Sequence, residues 1–331
     1  MIRLLAAPGR ILLGLACLAA PLPPALGSEH QPVAPPSRVS ALRIVVLSTM
    51  LAEAGIGEWG FAALVEADGR TLLFDTGARP RTVLDNAKEL GIELSAVEEV
   101  VLSHNHEDHT AGLLTLRREL AAKNPKAMSR VHVGKGIFWS RPRGQGGEGN
   151  SMIDVRRQFE ATGGAFVEHD GPVQLQPGLW LTGPVPRVHA ERNWSGRGQV
   201  QKAEGVVEDD IPEDSSLVAD TSRGLVLLAG CGHAGVVNAL EYARKVVRPA
   251  PLHAAIGGFH LFSASDAHLE WTAARLREFG IENLIGAHCT GLEAVYRLRD
   301  KAGLDRATAV VGAVGARFEL GQGIDPGNLA R

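Results

Sequence analysis

The chain has 331 residues, of which 45% are apolar, 21% charged and only 5% aromatic, and its formal net charge is −3. This apolar content is typical of a folded globular protein and excludes a disordered chain. The nearly balanced charge excludes the broad basic surface that binds nucleic acid, so we expect no nucleic-acid partner. The length allows one large domain or two smaller ones, each able to bury a core.

The first 27 residues are predicted to be a signal peptide. They contain two arginines and no acidic residue, an apolar run over 11–20, and small residues before Ser28. The run is shorter than the roughly 20 residues that span a bilayer. We therefore expect a cleaved signal, a periplasmic or secreted protein and no stable membrane insertion after cleavage, with an uncleaved anchor as the alternative. A Pro-rich linker is predicted over 28–40, a single main domain over 41–320 and a C-terminal tail over 321–331.

From residue 41 short apolar runs alternate with amphipathic stretches, which indicates a layered α/β domain. The predicted strands cover 43–48, 61–67, 70–75, 100–102, 224–229, 254–257 and 283–286. The predicted helices cover 80–90, 110–123, 236–247, 265–279 and 292–301. The middle of the chain, 134–212, is predicted to be irregular. Its acidic residues are interpreted as a solvated loop, with a functional lid as the alternative: Glu208, Asp209, Asp210, Glu213 and Asp214.

Three of the twelve histidines lie within six residues, directly after the predicted strand 100–102. His104 and His106 are two residues apart, so in an extended segment they point the same way. Asp108 and His109 follow as the chain turns into a helix, and could face a second metal. Imidazole nitrogens and a carboxylate packed together suit a divalent transition metal, whereas without a cation they would crowd one another.

Three more histidines follow predicted strands: His233, His260 and His288. The carboxyl ends of strands in layered α/β folds share one face, so we expect these side chains near the histidine cluster. Cys231 and Cys289 are the cysteines that remain after signal cleavage. Cys231 is either a soft thiolate ligand or a buried inert thiol. The two cysteines could form a disulfide, but we expect reduced thiols because metal binding would protect them.

Other histidines and arginines are interpreted as ordinary residues. Among the histidines, one lies in an irregular segment that could approach the site, His189; the others are His132, His169, His253 and His268. Arginines in the middle of the chain could bind an anionic substrate, although scattered surface arginines are the commoner case: Arg141, Arg143, Arg187, Arg192 and Arg197.

The motif His-x-His-x-Asp-His at 104–109, preceded by Leu-Phe-Asp-Thr-Gly at 73–77, resembles the metallo-β-lactamase-fold hydrolase superfamily. Three later motifs resemble one branch of it, named for 7,8-dihydropterin-6-methyl-4-(ribofuranosyl)aminobenzene 5′-phosphate synthase. They are Gly-Cys-Gly-His-Ala-Gly at 230–235, Gly-Gly-Phe-His-Leu at 257–261 and His-Cys-Thr-Gly at 288–291. The resemblance covers about 42–318. It implies an α/β fold, specifically an αββα sandwich, with the site along one edge between the two sheets.

The resemblance also implies roles for individual residues. His104 and His106 would bind the first metal, Asp108 and His109 the second, and His233 and His288 would complete the two sets. Asp75 would orient a ligating histidine, while Cys231 and His260 either bind metal or lie directly beside it. Glu-Trp-Gly-Phe at 58–61 replaces the His-Gly-Leu-Ser usual in the branch, and Gly232 replaces its serine. These departures, together with export, disfavour a pterin-type substrate.

We therefore predict an exported hydrolase that uses two divalent metal ions and the hydroxide they generate on a small-molecule substrate. Zinc is favoured, with iron or manganese as alternatives. The substrate would be a phosphate ester, a lactone or a thioester, with Asp108 as a catalytic residue. The rival interpretations are an iron-dependent oxidoreductase with the same ligands and a non-catalytic metal-binding protein. The oligomeric state is left open.

Overall fold

Two β-sheets face each other in the computed structural model, which describes residues 38–194 and 196–329. The strands are β1 (Leu42–Ser48), β2 (Ala62–Ala67), β3 (Arg70–Phe74), β4 (Glu99–Leu102), β5 (Arg130–Gly134), β6 (Ala165–His169), β7 (Val173–Gln176), β8 (Leu179–Leu181), β9 (Gln199–Lys202), β10 (Gly205–Glu208), β11 (Ser216–Thr221), β12 (Gly224–Ala229), β13 (Leu252–Gly257), β14 (Asn283–Gly286), β15 (Ala309–Val311), β16 (Arg317–Glu319) and β17 (Gly323–Asp325). The helices are α1 (Thr82–Glu89), α2 (Glu107–Thr110), α3 (Leu113–Ala121), α4 (Met152–Glu160), α5 (Val236–Val246), α6 (Asp266–Glu278) and α7 (Leu292–Ala302).

The first sheet has the strand order β17-β16-β1-β2-β3-β4-β5-β6, and the second has the order β15-β14-β13-β12-β11-β8-β7. Strands β9 and β10 form a separate hairpin. Pairing is parallel from β3 through β6 and from β12 through β15. Each sheet thus has a parallel half, and loops that can carry a site follow the carboxyl ends of those strands.

Three apolar layers hold the two sheets and their helices together. Alternation along a strand sends Ile44 and Val46 of β1 between the sheets, whereas Val45 and Leu47 pack against α1, α3 and α4. On the second sheet, Leu225 and Leu227 of β12 pack against α5, α6 and α7. Strands buried on both faces explain why these segments are continuous apolar runs. The predicted αββα sandwich is confirmed.

The middle of the chain is more regular than the sequence suggested. The segment expected to be irregular, 134–212, contains α4, five strands from β6 to β10, and the end of β5. The helix predicted over 110–123 is shorter in the structure: α3 covers Leu113–Ala121, and a turn at 111–112 separates it from the short helix α2, which ends at Thr110. Strand β17 lies within the predicted C-terminal tail and pairs with β16.

The predicted signal peptide, 1–27, lies outside the described residues, and so does the predicted linker up to residue 37. Beyond it, Val39 makes an isolated bridge to Thr221. Among the described residues, none of the helices combines the length and the apolar character needed to cross a membrane.

Phe74 provides a test of the layer between the sheets. Its ring is fully buried and contacts Phe61 edge to face, with ring centroids 6.4 Å apart. Phe74→Ala should lower the free energy of unfolding by about 3–5 kcal/mol, because it removes buried area and leaves a cavity. The exposed Phe262 is the matched control, and Phe262→Ala should change the same quantity by only about 0.5 kcal/mol. Chemical denaturation measures both, and equal effects would contradict this account of the core.

Candidate metal centre

The histidine motif occupies the connection between β4 and α2, at the carboxyl end of a buried parallel strand. His106 precedes the helix in an extended conformation, with φ −67° and ψ 143°. The motif is anchored to the next connection because Thr76 donates its backbone N–H to the carbonyl oxygen of His109, over 2.7 Å. As a result the imidazoles of His104 and His109 are completely buried, with ring centroids 4.3 Å apart.

A first group of ligand atoms comes from His104, His106 and His233, and these atoms lie within 4.8 Å of one another. His104 Nδ1 contacts the Ser103 hydroxyl at 2.9 Å, and His233 Nδ1 contacts the backbone carbonyl of Asn193. The Nε2 atoms of His104 and His233 are buried and have no hydrogen-bond partner. Buried polar atoms normally have a hydrogen-bond partner, and a cation bound by this group would satisfy both nitrogens.

The ionisation of this group agrees with metal binding. Desolvation, reinforced by neighbouring imidazoles, lowers the pKa of His104 and of His233 well below the usual value. Desolvation likewise lowers the pKa of His106 to about 4, although Asp108 opposes the shift. All three side chains are therefore neutral at pH 7, which is the form that coordinates a metal.

A second group comes from Asp108, His109 and His288. The Nε2 atoms of the two histidines are 3.3 Å apart, and Asp108 Oδ2 lies 3.3 Å from His288 Nε2. Burial works against ionisation of Asp108, but His109 and His288 outweigh it and lower the pKa of the carboxyl. For His288, burial is outweighed by Cys289 and Asp108, which raise the pKa to about 9. A metal at this group would displace that proton.

Asp75 fixes the orientation of the second group. Its Oδ2 contacts His109 Nδ1 at 2.8 Å, while the backbone N–H and the hydroxyl of Ser103 each donate to the same carboxylate over 2.7 Å. The backbone of Asp75 is left-handed, with φ +55°. Gly230 leaves room for this arrangement, because a Cβ there would lie 2.1 Å from Ser103 Oγ and 2.4 Å from Asp75 Oδ2. The contact matches the orienting role implied for Asp75.

Sulfur lies beside both groups. Cys231 Sγ is 3.1 Å from His109 Nε2 and belongs to a third set of ligand atoms, with His104 and His109. Cys289 Sγ lies 3.2 Å from Cys231 Sγ, and both cysteines are free and buried. Cys289 also forms a fourth set with Cys231 and His260. The structure thus brings together all eight side chains expected at the metals: His104, His106, Asp108, His109, His233, His288, Cys231 and His260.

An open cavity of about 590 Å³ leads to the first group. His106, His233 and His260 form part of its lining, with Asn193, Trp194 and Phe262 among the other lining residues. The second group is flanked by Trp59, a half-exposed side chain whose ring contacts those of His288 and Phe262. A small molecule can therefore approach the imidazoles from solvent.

The acidic segment expected to be a solvated loop is largely buried, which corrects that interpretation. Asp209, Glu213 and Asp214 are each less than a tenth exposed, and only Glu208 and Asp210 of the five remain more accessible. The buried Arg141 explains this for two of them, because its Nε lies 3.0 Å from Asp209 Oδ2 and an Nη lies 2.7 Å from Glu213 Oε2, whereas Asp214 Oδ2 accepts a hydrogen bond from the backbone N–H of Ala234. Arg141 is thus not a surface arginine.

This ion-pair network reaches the segment that carries two of the candidate metal ligands. Glu213 Oε1 accepts a hydrogen bond from the backbone N–H of Asn105, the residue between His104 and His106. Asp209 lines the cavity together with His106. Sequence reasoning named Arg141 as a possible anion-binding residue and Glu213 as part of a solvated loop, and it missed their link to the motif because they are far from it along the chain. It also missed Asn193, whose carbonyl orients His233.

Of the other histidines that the structure describes, His268 lines the cavity and the rest lie elsewhere. His189 pairs with Glu241 at 2.9 Å and does not join the ligand groups. His132 and His169 stack on each other, with a nitrogen–nitrogen distance of 3.0 Å, and His253 contacts Glu282 at 3.0 Å. Two of the other arginines are also paired with carboxylates, Arg187 with Asp210 and Arg192 with Glu208.

Arg141→Met tests whether the ion-pair network positions the ligands. The substitution leaves Asp209 and Glu213 buried without their cation, so the free energy of unfolding should fall by about 3–5 kcal/mol. Zinc affinity, measured by competition with a chelator, should fall about 10–100-fold because the segment carrying His104 and His106 loses its support. Arg143→Met removes an exposed arginine two residues away and should leave the affinity unchanged. An unchanged affinity in Arg141→Met would contradict the positioning role.

Comparison with known proteins agrees with this geometry. The chain is 29% identical to 7,8-dihydropterin-6-methyl-4-(β-D-ribofuranosyl)-aminobenzene-5′-phosphate synthase from Methanocaldococcus jannaschii over 240 residues, which are 71% of this chain and 81% of that protein. The crystal structure of Tm1679, described as a metal-dependent hydrolase of the β-lactamase superfamily, matches with a TM-score of 0.66 and 26% identity, over 83% of this chain and 98% of that one. Zn²⁺-bound PqqB from Methylobacterium extorquens shares the fold, with a TM-score of 0.51 and 15% identity over 83% of this chain and 99% of its own.

The family model for the metallo-β-lactamase superfamily matches residues 60–244, more than half of the chain. The match contains the histidine motif, Asp75, Cys231 and His233, and the alternation of helices and sheets is the one the family implies. The chain therefore belongs to the metallo-β-lactamase superfamily.

Proposed function

We propose that the protein is an exported metal-dependent hydrolase that acts on a small ester-type substrate. The observation that carries the proposal is the pair of adjoining ligand groups beside an open cavity: one all-imidazole, the other with a carboxylate. Together the two groups supply the borderline imidazole nitrogens and the hard carboxylate oxygen that zinc, iron and manganese accept, and the adjacent Cys231 favours zinc. The Tm1679 comparison supports a hydrolase, since that relative is described as one.

Divalent ions held by these residues would polarise the scissile bond and make water a nucleophile at neutral pH. His104, His106 and His233 are suited to hold one ion, and Asp108, His109 and His288 the other. The chain contributes orientation as well as ligation. Asp75 fixes the ring of His109, and the Asn193 carbonyl fixes that of His233. Neither imidazole needs to reorganise during the reaction.

Asp108 is the residue that we propose to act on the attacking water. Its side chain is the accessible member of the second group, about a quarter exposed, and its pKa is lowered by the neighbouring histidines. The carboxylate therefore stays ionised and can accept a hydrogen bond from the water, which orients it toward the substrate. Removing the carboxylate should lower turnover more than it lowers substrate binding.

The ion pairs of nearby arginines indicate which substrate charge fits the site. The guanidinium groups of Arg141, Arg187 and Arg192 each pair with a carboxylate. Their positive charges are therefore already compensated and would contribute little to binding a polyanionic substrate. A neutral or singly charged ester therefore fits better than a phosphate monoester: a lactone, a thioester or a phosphodiester. The synthase activity named for the Methanocaldococcus jannaschii relative is the second candidate, favoured by the 29% identity.

His106→Ala tests the metal-dependent reaction. The protein should bind at least two divalent ions per chain, and the variant should lose at least one of them, measured by elemental analysis after desalting. Hydrolysis of a panel of lactones, thioesters and phosphodiesters should fall about 100-fold or more, since the loss of a ligand removes the ion's electrostatic contribution. His169→Ala, in a histidine pair away from the cavity, is the control.

Three results would contradict the proposal. A protein that binds no zinc, iron or manganese would overturn both the site and the activity. A protein with its ions in place but no turnover on the whole panel would be a metal-binding protein or an oxidoreductase. Turnover of a dihydropterin substrate alone would favour the synthase activity.

Export is tested separately, because it depends on residues 1–27 and not on the site. The two arginines, the apolar run and the small residues before Ser28 should direct translocation and cleavage near position 28. Fused to a reporter that is active only outside the cytoplasm, residues 1–30 should give signal, and the mature protein should begin near Ser28. A cytosolic protein that keeps Met1 would refute export.

A further inference from the structure

We propose that Cys231, Cys289 and His260 form a third metal position, rich in thiolate, beside the two ligand groups already described. Their ligand atoms lie within 4.8 Å of one another. Two of the three, Cys289 and His260, take part in no other group of candidate ligands within the described residues. The two ions of the proposed hydrolase therefore do not account for them, and the inference does not depend on the reaction.

The two sulfurs are held together in a desolvated place. Cys231 and Cys289 are 2% and 1% exposed, and their Sγ atoms are 3.2 Å apart. They come from different parts of the chain, since one follows β12 and the other lies in the short 3-10 turn after β14. Gly258 makes the approach possible, because a Cβ there would lie 2.9 Å from Cys289 Sγ and 2.1 Å from the Gly230 carbonyl.

His260 completes the set from the carboxyl end of β13. Its backbone is left-handed, with φ +49°, and so is that of His288, next to Cys289, with φ +45°. Such a conformation is strained for a non-glycine residue and persists where the surroundings impose it. The His260 ring packs against that of His233, with centroids 4.6 Å apart, and its buried Nδ1 has no hydrogen-bond partner.

The donor chemistry indicates the class of ion. Two thiolates would neutralise the charge of one divalent cation, and sulfur with imidazole is the donor set that zinc and other thiophilic ions prefer over magnesium or calcium. Cys231 also lies 3.1 Å from His109 Nε2, so its thiolate could bridge this position and the second ligand group. Ligation would keep both thiols reduced in an oxidising compartment.

Cadmium distinguishes an ion at this position from ions at the other two groups. Cadmium bound to thiolate has an ultraviolet charge-transfer band, which cadmium bound only to nitrogen and oxygen lacks. Reduced, metal-stripped protein should bind three Cd²⁺ per chain, with the band rising as the thiolates are occupied. Cys289→Ser should bind two and lose about half of the band, since one of the two sulfurs is removed. His260→Gln should keep the band but weaken the third ion about tenfold or more.

The control variant and the contradicting results of this test differ from those of the hydrolase test. His169→Gln removes a histidine outside the cluster and should bind three ions with the full band. Circular dichroism checks that each variant folds, and if Cys289→Ser does not, His260→Gln decides the matter alone. Three outcomes would overturn the proposal: only two ions in the reduced wild-type protein, a third ion of unchanged affinity in His260→Gln, or a Cys231–Cys289 disulfide that persists in the metal-loaded protein.

Discussion

The candidate metal centre depends on one constraint: burying nitrogen and sulfur atoms together, away from water, costs free energy. His104 Nε2 and His233 Nε2 are buried without a hydrogen-bond partner. Each such atom costs about 1–3 kcal/mol. The imidazoles cannot relieve this by taking up protons, because desolvation and mutual repulsion lower the pKa of both. A divalent cation would satisfy several of these atoms at once, which is the physical reason for assigning a metal site here.

The other residues of the site form hydrogen bonds that keep these donor atoms in position despite this cost. Asp75 and Ser103 orient ligands from the first sheet, whereas Asn193 orients His233, which follows the second sheet. Each ligand group draws residues from both sheets, since His104 and His109 follow β4, while His233 and His288 follow β12 and β14. The pairing of the two sheets and the assembly of the metal site therefore reinforce each other, and metal binding should contribute to folding stability.

The parts of the fold and of the site that could be predicted are those with local signals. The motif at 104–109 and the histidines that end β12 and β14 are placed by rules that act over a few residues: strand alternation, the turn at a strand end and ligand spacing. The strands of the middle segment were missed because β7 to β10 have only three or four residues each, too short for a periodic pattern. The acidic residues 209, 213 and 214 were misjudged for a different reason. Charge alone indicates solvation, and nothing local reveals that Arg141, about 70 residues away, neutralises two of them.

That correction changes how the middle of the chain relates to the reaction. Arg141 and Glu213 connect the segment after β5 to the backbone of Asn105, and Asp209 lies in the cavity wall with His106. Trp194 and Arg192 line the same cavity, and the Arg192 guanidinium lies 5.2 Å from the Trp194 ring centroid. One buried network thus joins the cavity wall to the segment that carries two candidate metal ligands, His104 and His106. A substitution that removes one partner of the buried ion pair leaves an uncompensated charge beside the candidate ligands. Such a substitution in the cavity wall should therefore disturb the ligands as well. We therefore expect substitutions in this network to change substrate preference and metal affinity together.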